Sequence, residues 1–183
     1  GGSGANGSGI SIKKTNNGLY GNLFVNESFT FSQPAKASVQ GNIRTKNLNV
    51  KGDFSAANIY NSNSMVIEDG SKVTVSNGNI HTNAFTLKGS SGVTTKNLYT
   101  TTDISLTNTG TLTAAADIYA NKLDMSSGSN ISTNNMYITT DMNLNNQGKV
   151  TATGIVHTNN VTLHTSLTKV TAYKLIVYNN FTL

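Results

Sequence analysis

The residues able to do chemistry are few and scattered. Eight carboxylates, thirteen Lys and Arg and three His stand in 183 residues, a charged share of 11 % against roughly 25 % in ordinary domains. Two carboxylates flanking a glycosidic bond could act as general acid and base. Asp103 and Asp141 come nearest to that arrangement, because they occupy the same place in a repeat, two copies apart. Stacked strands would hold them about 9.6 Å apart. Lys122 occupies the copy between them, however, and opposite charges on neighbouring strands are an ordinary pairing device. His81, His157 and His164 fall in different columns or distant copies, so no metal site is expected. The absence of Cys excludes a disulfide scaffold and a Cys-based zinc site. Gly1-Gly-Ser-Gly-Ala-Asn6 is a single copy of a glycine-rich pattern with Asn where a calcium-binding acid belongs. The expectation is a non-catalytic chain without a cofactor.

What positions these residues is a repeat. An apolar anchor recurs at Leu23, Ile43, Ile59, Ile80, Leu98, Ile118, Met136, Ile155 and Leu175, a mean interval of 19.0 residues. Each anchor is followed by an apolar-x-apolar triplet: Phe29-Thr-Phe31, Leu48-Asn-Val50, Met65-Val-Ile67, Phe85-Thr-Leu87, Ile104-Ser-Leu106, Leu123-Asp-Met125, Met142-Asn-Leu144, Val161-Thr-Leu163 and Phe181-Thr-Leu183. A third short strand opens with Val73-Thr74, Val93-Thr94, Leu112-Thr113, Ile131-Ser132, Val150-Thr151 and Val170-Thr171. Gly-, Asn- and Ser-rich turns close the copies. Period-two triplets between turns are strands, and no stretch carries a helical stripe.

Three short strands plus corners account for about nineteen residues, the length of one coil of a parallel β-helix. The predicted fold is therefore all-β, a parallel β-solenoid of about nine coils over residues 19–183. A glycine-rich leader over 1–18 contains a possible strand at Ile10-Ser-Ile12. A right-handed coil is expected from the handedness of parallel crossovers, and nine coils make a rod about 43 Å long.

Aligned positions then become columns along the rod. Before the anchor stand Asn22, Asn42, Asn58, Asn79, Asn97, Asp117 and Asn135, which reads as a structural amide ladder. After the anchor stand Tyr60, His81, Tyr99, Tyr119 and Tyr137, followed in this alignment by Val156 and Ile176. That stripe is a candidate contact surface for glycans or a neighbouring molecule, with plain stabilisation of the sheet as the simpler role. The outward hydroxyl column at Thr74, Thr94, Thr113, Ser132, Thr151 and Thr171 suggests water ordering of the ice-binding kind, but Thr is also simply a good strand residue.

Asn, Thr and Ser total 72 residues, about 39 % of the chain, and the repeat gives them places: Asn at corners, Thr on outward strand positions, Ser in turns. The net charge of +5 is spread over single residues apart from Lys13-Lys14, with no patch to grip nucleic acid. No apolar run approaches the roughly 18 residues of a membrane-spanning helix. Asn-x-Ser/Thr triplets at Asn6, Asn26, Asn130, Asn160 and Asn180 are expected by chance in this composition. The start at Gly1 is read as a processed or excised product. The final triplet at Leu183 suggests continuation of a longer rod, or self-association through the ends of the solenoid.

The cadence of strand, turn and Val-Thr-Ala strand resembles the β-helical passengers of filamentous-hemagglutinin-like adhesins and autotransporters on bacterial surfaces. It is carried by Leu106-Thr-Asn-Thr-Gly-Thr-Leu-Thr-Ala-Ala-Ala-Asp-Ile118 and Leu144-Asn-Asn-Gln-Gly-Lys-Val-Thr-Ala-Thr-Gly-Ile155, within a stretch from about Leu19 to Leu183. The resemblance implies an extracellular structural or adhesive rod. A self-assembling fibre subunit, of pilus or biofilm-matrix type, is the second expectation. A polysaccharide-binding or polysaccharide-degrading β-helix is the third.

Overall fold

Alternating strands bury one face each, and a nineteen-residue copy can cover that face only with the copies above and below it. The computed structural model, which describes residues 10–12 and 21–183, shows this arrangement. The chain is all-β, and its strands pair in parallel to form a solenoid of about eight turns. Residues 1–9 and 13–20 of the expected leader lie outside the described residues. Ile10–Ile12 pairs in parallel with Phe29–Phe31, so the strand expected there is present.

Three faces wrap one interior. The anchor face includes Asp117–Ala120 and Asn135–Ile138. The triplet face includes Asp103–Leu106, Lys122–Met125 and Asp141–Leu144. The threonine face includes Thr111–Ala114, Asn130–Thr133 and Lys149–Ala152. Gly92–Thr100 runs from the threonine face onto the anchor face, and Ile155–Leu163 from the anchor face onto the triplet face. Through these corner-crossing strands the faces join one sheet, whose strand-pairing bonds run along the rod from coil to coil.

The triplets stack in register, from Met65 through Phe85, Ile104, Leu123, Met142 and Val161 to Phe181. On the threonine face the inward column runs Phe54, Val73, Val93, Leu112, Ile131, Val150, Val170. These side chains are almost wholly buried as far as Val150. At about 25 cal/mol per Å2 of apolar surface, each buried Ile or Leu contributes roughly 1.5–3 kcal/mol.

One anchor differs from the sequence reading. Met136 pairs with Val156, and Val156 with Leu175, so the eighth anchor is Val156 and not Ile155. Gly154-Ile-Val156 offers two adjacent β-branched apolar residues, either of which fits an inward position. The extra corner residue at Gly154 decides between them, and a slip of one residue reverses every side chain that follows.

Turns between the triplet and threonine faces close when their last N–H donates to their first carbonyl, at 3.1 Å in Glu68–Ser71 and 3.3 Å in Ser126–Ser129. They contain left-handed residues such as Gly70 (φ 70°) and Asn108 (φ 59°). Gly and Asn tolerate that conformation at least cost. Among the described residues no helix is long and apolar enough to cross a membrane.

Candidate functional site

Strands of one face repeat at about 4.8 Å, so a planar side chain in one outward column meets its equivalent at stacking distance. The residue after each anchor has this position. Tyr60, His81, Tyr99, Tyr119 and Tyr137 form one continuous stack on the anchor face. Successive centroids are 5.2, 4.6, 5.2 and 4.8 Å apart, with planes 10–16° from parallel. Each ring face in the middle of the stack is covered by its neighbours, so the edges and phenol oxygens are what the column presents outward.

The corrected register extends the column. Tyr137 pairs with His157, which takes the place the sequence alignment gave to Val156. Its ring tilts by 53° from Tyr137 at 6.1 Å, and its Nε2 lies 2.9 Å from Tyr178 Oη. Tyr178 meets it edge-on, two residues beyond the column position held by Ile176. At the other end Arg44 follows the anchor Ile43, and its guanidinium sits over Tyr60 at 5.3 Å. Phe24 follows Leu23 in the same way and is 62 % exposed. The sequence stripe of consecutive Tyr and His does not include Phe24 and Arg44, although both follow an anchor, because their residue types differ from the run.

The amide ladder lies beside the stack, as expected, and its bonds alternate. Asn42, Asn79, Asp117 and Ile155 each donate a backbone N–H to the side-chain oxygen of Asn22, Asn58, Asn97 and Asn135, at 2.8–2.9 Å. Asn58, Asn97 and Asn135 instead donate Nδ2 to Asn42, Asn79 and Asp117, again at 2.8–2.9 Å. Backbone donors occur where the step is 20 or 21 residues, and side-chain donors where it is 16 or 18. The longer corners carry extra backbone that reaches over the oxygen below. At Gly78 and Gly154 a Cβ would run into Ala57 O and Asn135 Oδ1 respectively. In two short corners a buried threonine does the closing. Thr95 Oγ1 lies within hydrogen-bonding reach of Gly78 O and Asn97 O, and Thr133 Oγ1 of Ala116 O and Asn135 O.

Two ionisable groups of the column are shifted. His81 titrates below the usual imidazole range because burial between the rings penalises imidazolium. The Tyr119 phenol is raised, first by burial and then by the charge of Asp117 and the flanking phenols. Both are therefore neutral at pH 7.

The charged candidates sit on the triplet face. Asp103 pairs with Lys122 in register, and Asp141 follows one coil further, so the sequence placed this column correctly. Lys122 Nζ turns to Asp124 Oδ2 at 2.8 Å, and that bond, with Asp103 and Asp141 facing it, keeps the ammonium protonated. Asp141 accepts from Asn160 Nδ2 at 2.7 Å. His81 and His157 share a column four coils apart, while His164 lies at a turn. No group of three His, Cys, Asp or Glu suited to a metal occurs among the described residues. The outward column at 74, 94, 113, 132, 151 and 171 stacks in register, but Lys72, Gly92, Thr111, Asn130, Lys149 and Lys169 flank it. Only Thr111 there adds a second hydroxyl.

A groove of about 410 Å3 crosses the anchor face at the open end of the stack, lined by Phe24, Arg44, Tyr60, Asn61, Ser62 and His81 among others. Asn61 is 6 % exposed and its Nδ2 has no hydrogen-bond partner among the described residues. Comparison of the chain with protein-family models, curated proteins and solved structures returned no match.

Proposed function

We propose that this chain is part of an extracellular, non-catalytic rod of a bacterial surface protein that acts by presenting its lateral faces for adhesion. The observation that carries the reading is the ring column with its adjoining amide ladder. Both run straight along one face with no inserted loop among the described coils, giving one polar and aromatic surface repeated coil after coil. The acids and bases support it too. Four of the eight carboxylates are held in ion pairs with lysines, as Asp124 is with Lys122, and no group of three His, Cys, Asp or Glu suited to a metal occurs among the described residues. Binding of the purified chain to an array of host and matrix glycans tests the reading. Retention of one glycan class is expected, and retention of none overturns adhesion through glycans.

A second reading is a fibre subunit that stacks end to end. It draws on the last described coil, where columns buried lower in the rod emerge with Leu175 at 38 % and Phe181 at 49 % exposure. One more coil, from a continuation of the chain or from a second copy, would cover them. Electron microscopy separates the readings, since long unbranched fibres favour the second and short rods alone sink it.

A further inference from the structure

We infer that the groove at the Phe24 end of the ring column binds a saccharide chain carrying carboxylate groups, a uronic-acid glycan. The inference rests on the adhesive reading and names its ligand class. In the middle of the stack no ring face is free for a sugar. At this end the pattern changes. Phe24 is exposed, and among the described residues no other ring stacks on it. The apolar face of a pyranose can pack on such a ring.

Next to it stands Arg44. Its guanidinium lies over Tyr60, with no carboxylate within ion-pair distance among the described residues, whereas Lys46 is paired with Glu27 at 3.4 Å. A guanidinium held over a ring and free of a carboxylate partner can offer its N–H fork for a bidentate bond to a carboxylate. From Phe24 to His81 the groove spans three coil steps, about 14 Å. That length suits a run of sugar units better than a single small anion.

Titration calorimetry with a hyaluronan tetrasaccharide, against uncharged tetra-N-acetylchitotetraose, tests the assignment on the full chain. The acidic chain is expected to bind and the neutral one to bind at least roughly tenfold more weakly. Arg44→Gln keeps a planar group over Tyr60 but removes the charge, and should weaken hyaluronan binding by roughly tenfold or more. Arg44→Lys restores charge without the fork and should fall between. Unchanged circular dichroism shows that these surface variants still fold. Equal affinity of Arg44→Gln and the native chain, equal affinity for the two saccharides, or no binding of the acidic one overturns the groove assignment. If the glycan array still shows binding that Arg44→Gln leaves intact, the adhesive reading stands and only the groove falls. An empty array removes both.

Discussion

His81 lies flat against Tyr99, their ring centroids 4.6 Å apart and their planes 16° from parallel. Tyr60 covers its other face at 5.2 Å. An imidazole so enclosed loses hydration as a cation, and its pKa falls below the ordinary 6.5. Between the lowered folded value and 6.5 the unfolded chain binds more protons than the folded one, so stability rises with pH across that window. Acidification below about 6.5 should therefore lower the urea midpoint, and His81→Phe should reduce the slope. A slope unchanged in the variant would contradict burial of His81 as its source.

Tyr119 is stacked on both faces, and each contact is worth about 0.5–1.5 kcal/mol beyond area burial. Tyr119→Ala should cost roughly 1–3 kcal/mol, whereas Tyr119→Phe, which keeps the stack, should be close to neutral. Denaturation monitored by near-ultraviolet circular dichroism distinguishes them. Equal losses would mean that the phenol oxygen, not the ring, carries the stabilisation.

Asn97 bonds in both directions, to Asn79 through Nδ2 and from the Asp117 N–H through Oδ1. Asn97→Ala orphans both partners in a part-buried corner, at roughly 2–4 kcal/mol. The Asp117 amide should lose protection against hydrogen exchange. Asn22, exposed and bonded among the described residues only through its oxygen, should cost under about 1 kcal/mol when replaced by Ala.

Gly154 and Ala116 occupy the same long corner two coils apart, but only Gly154 sits where a Cβ meets the ladder oxygen. Gly154→Ala should cost about 1–3 kcal/mol by overpacking and break the bond from Ile155 N to Asn135 Oδ1. Ala116→Gly should cost about 0.5–1 kcal/mol through chain entropy. Exchange at the Ile155 amide reads the difference, and full protection in Gly154→Ala would refute the clash.

Ile104 is fully buried mid-rod, and its truncation to Ala should cost about 2–5 kcal/mol. Leu175, in the last described coil, is 38 % exposed and should cost less than half as much. Thermal melts of the two variants give the comparison, and equal shifts would argue that the exposed coil is covered in solution.

The sequence by itself determined the solenoid. A nineteen-residue recurrence of inward Ile, Leu, Val, Met and Phe leaves the chain no way to bury them except on its own copies. It also placed the triplets, the outward threonines, the Asp103, Lys122, Asp141 column, the amide ladder and the central five rings, because each follows from alternation counted from a clear anchor. Only the tertiary structure decided the corners. Whether Ile155 or Val156 points inward depends on how many residues the chain spends crossing above Asn135, and two adjacent apolar β-branched residues leave that open. The same backbone excess sets which ladder steps use a main-chain donor, and it moves His157 into the ring column. Phe24 and Arg44 follow the anchors Leu23 and Ile43 and so had their positions in the sequence, but only the structure shows Arg44 over Tyr60 and Phe24 at the same groove. A phenylalanine and an arginine share no residue type, but at one strand spacing their planar groups share a position.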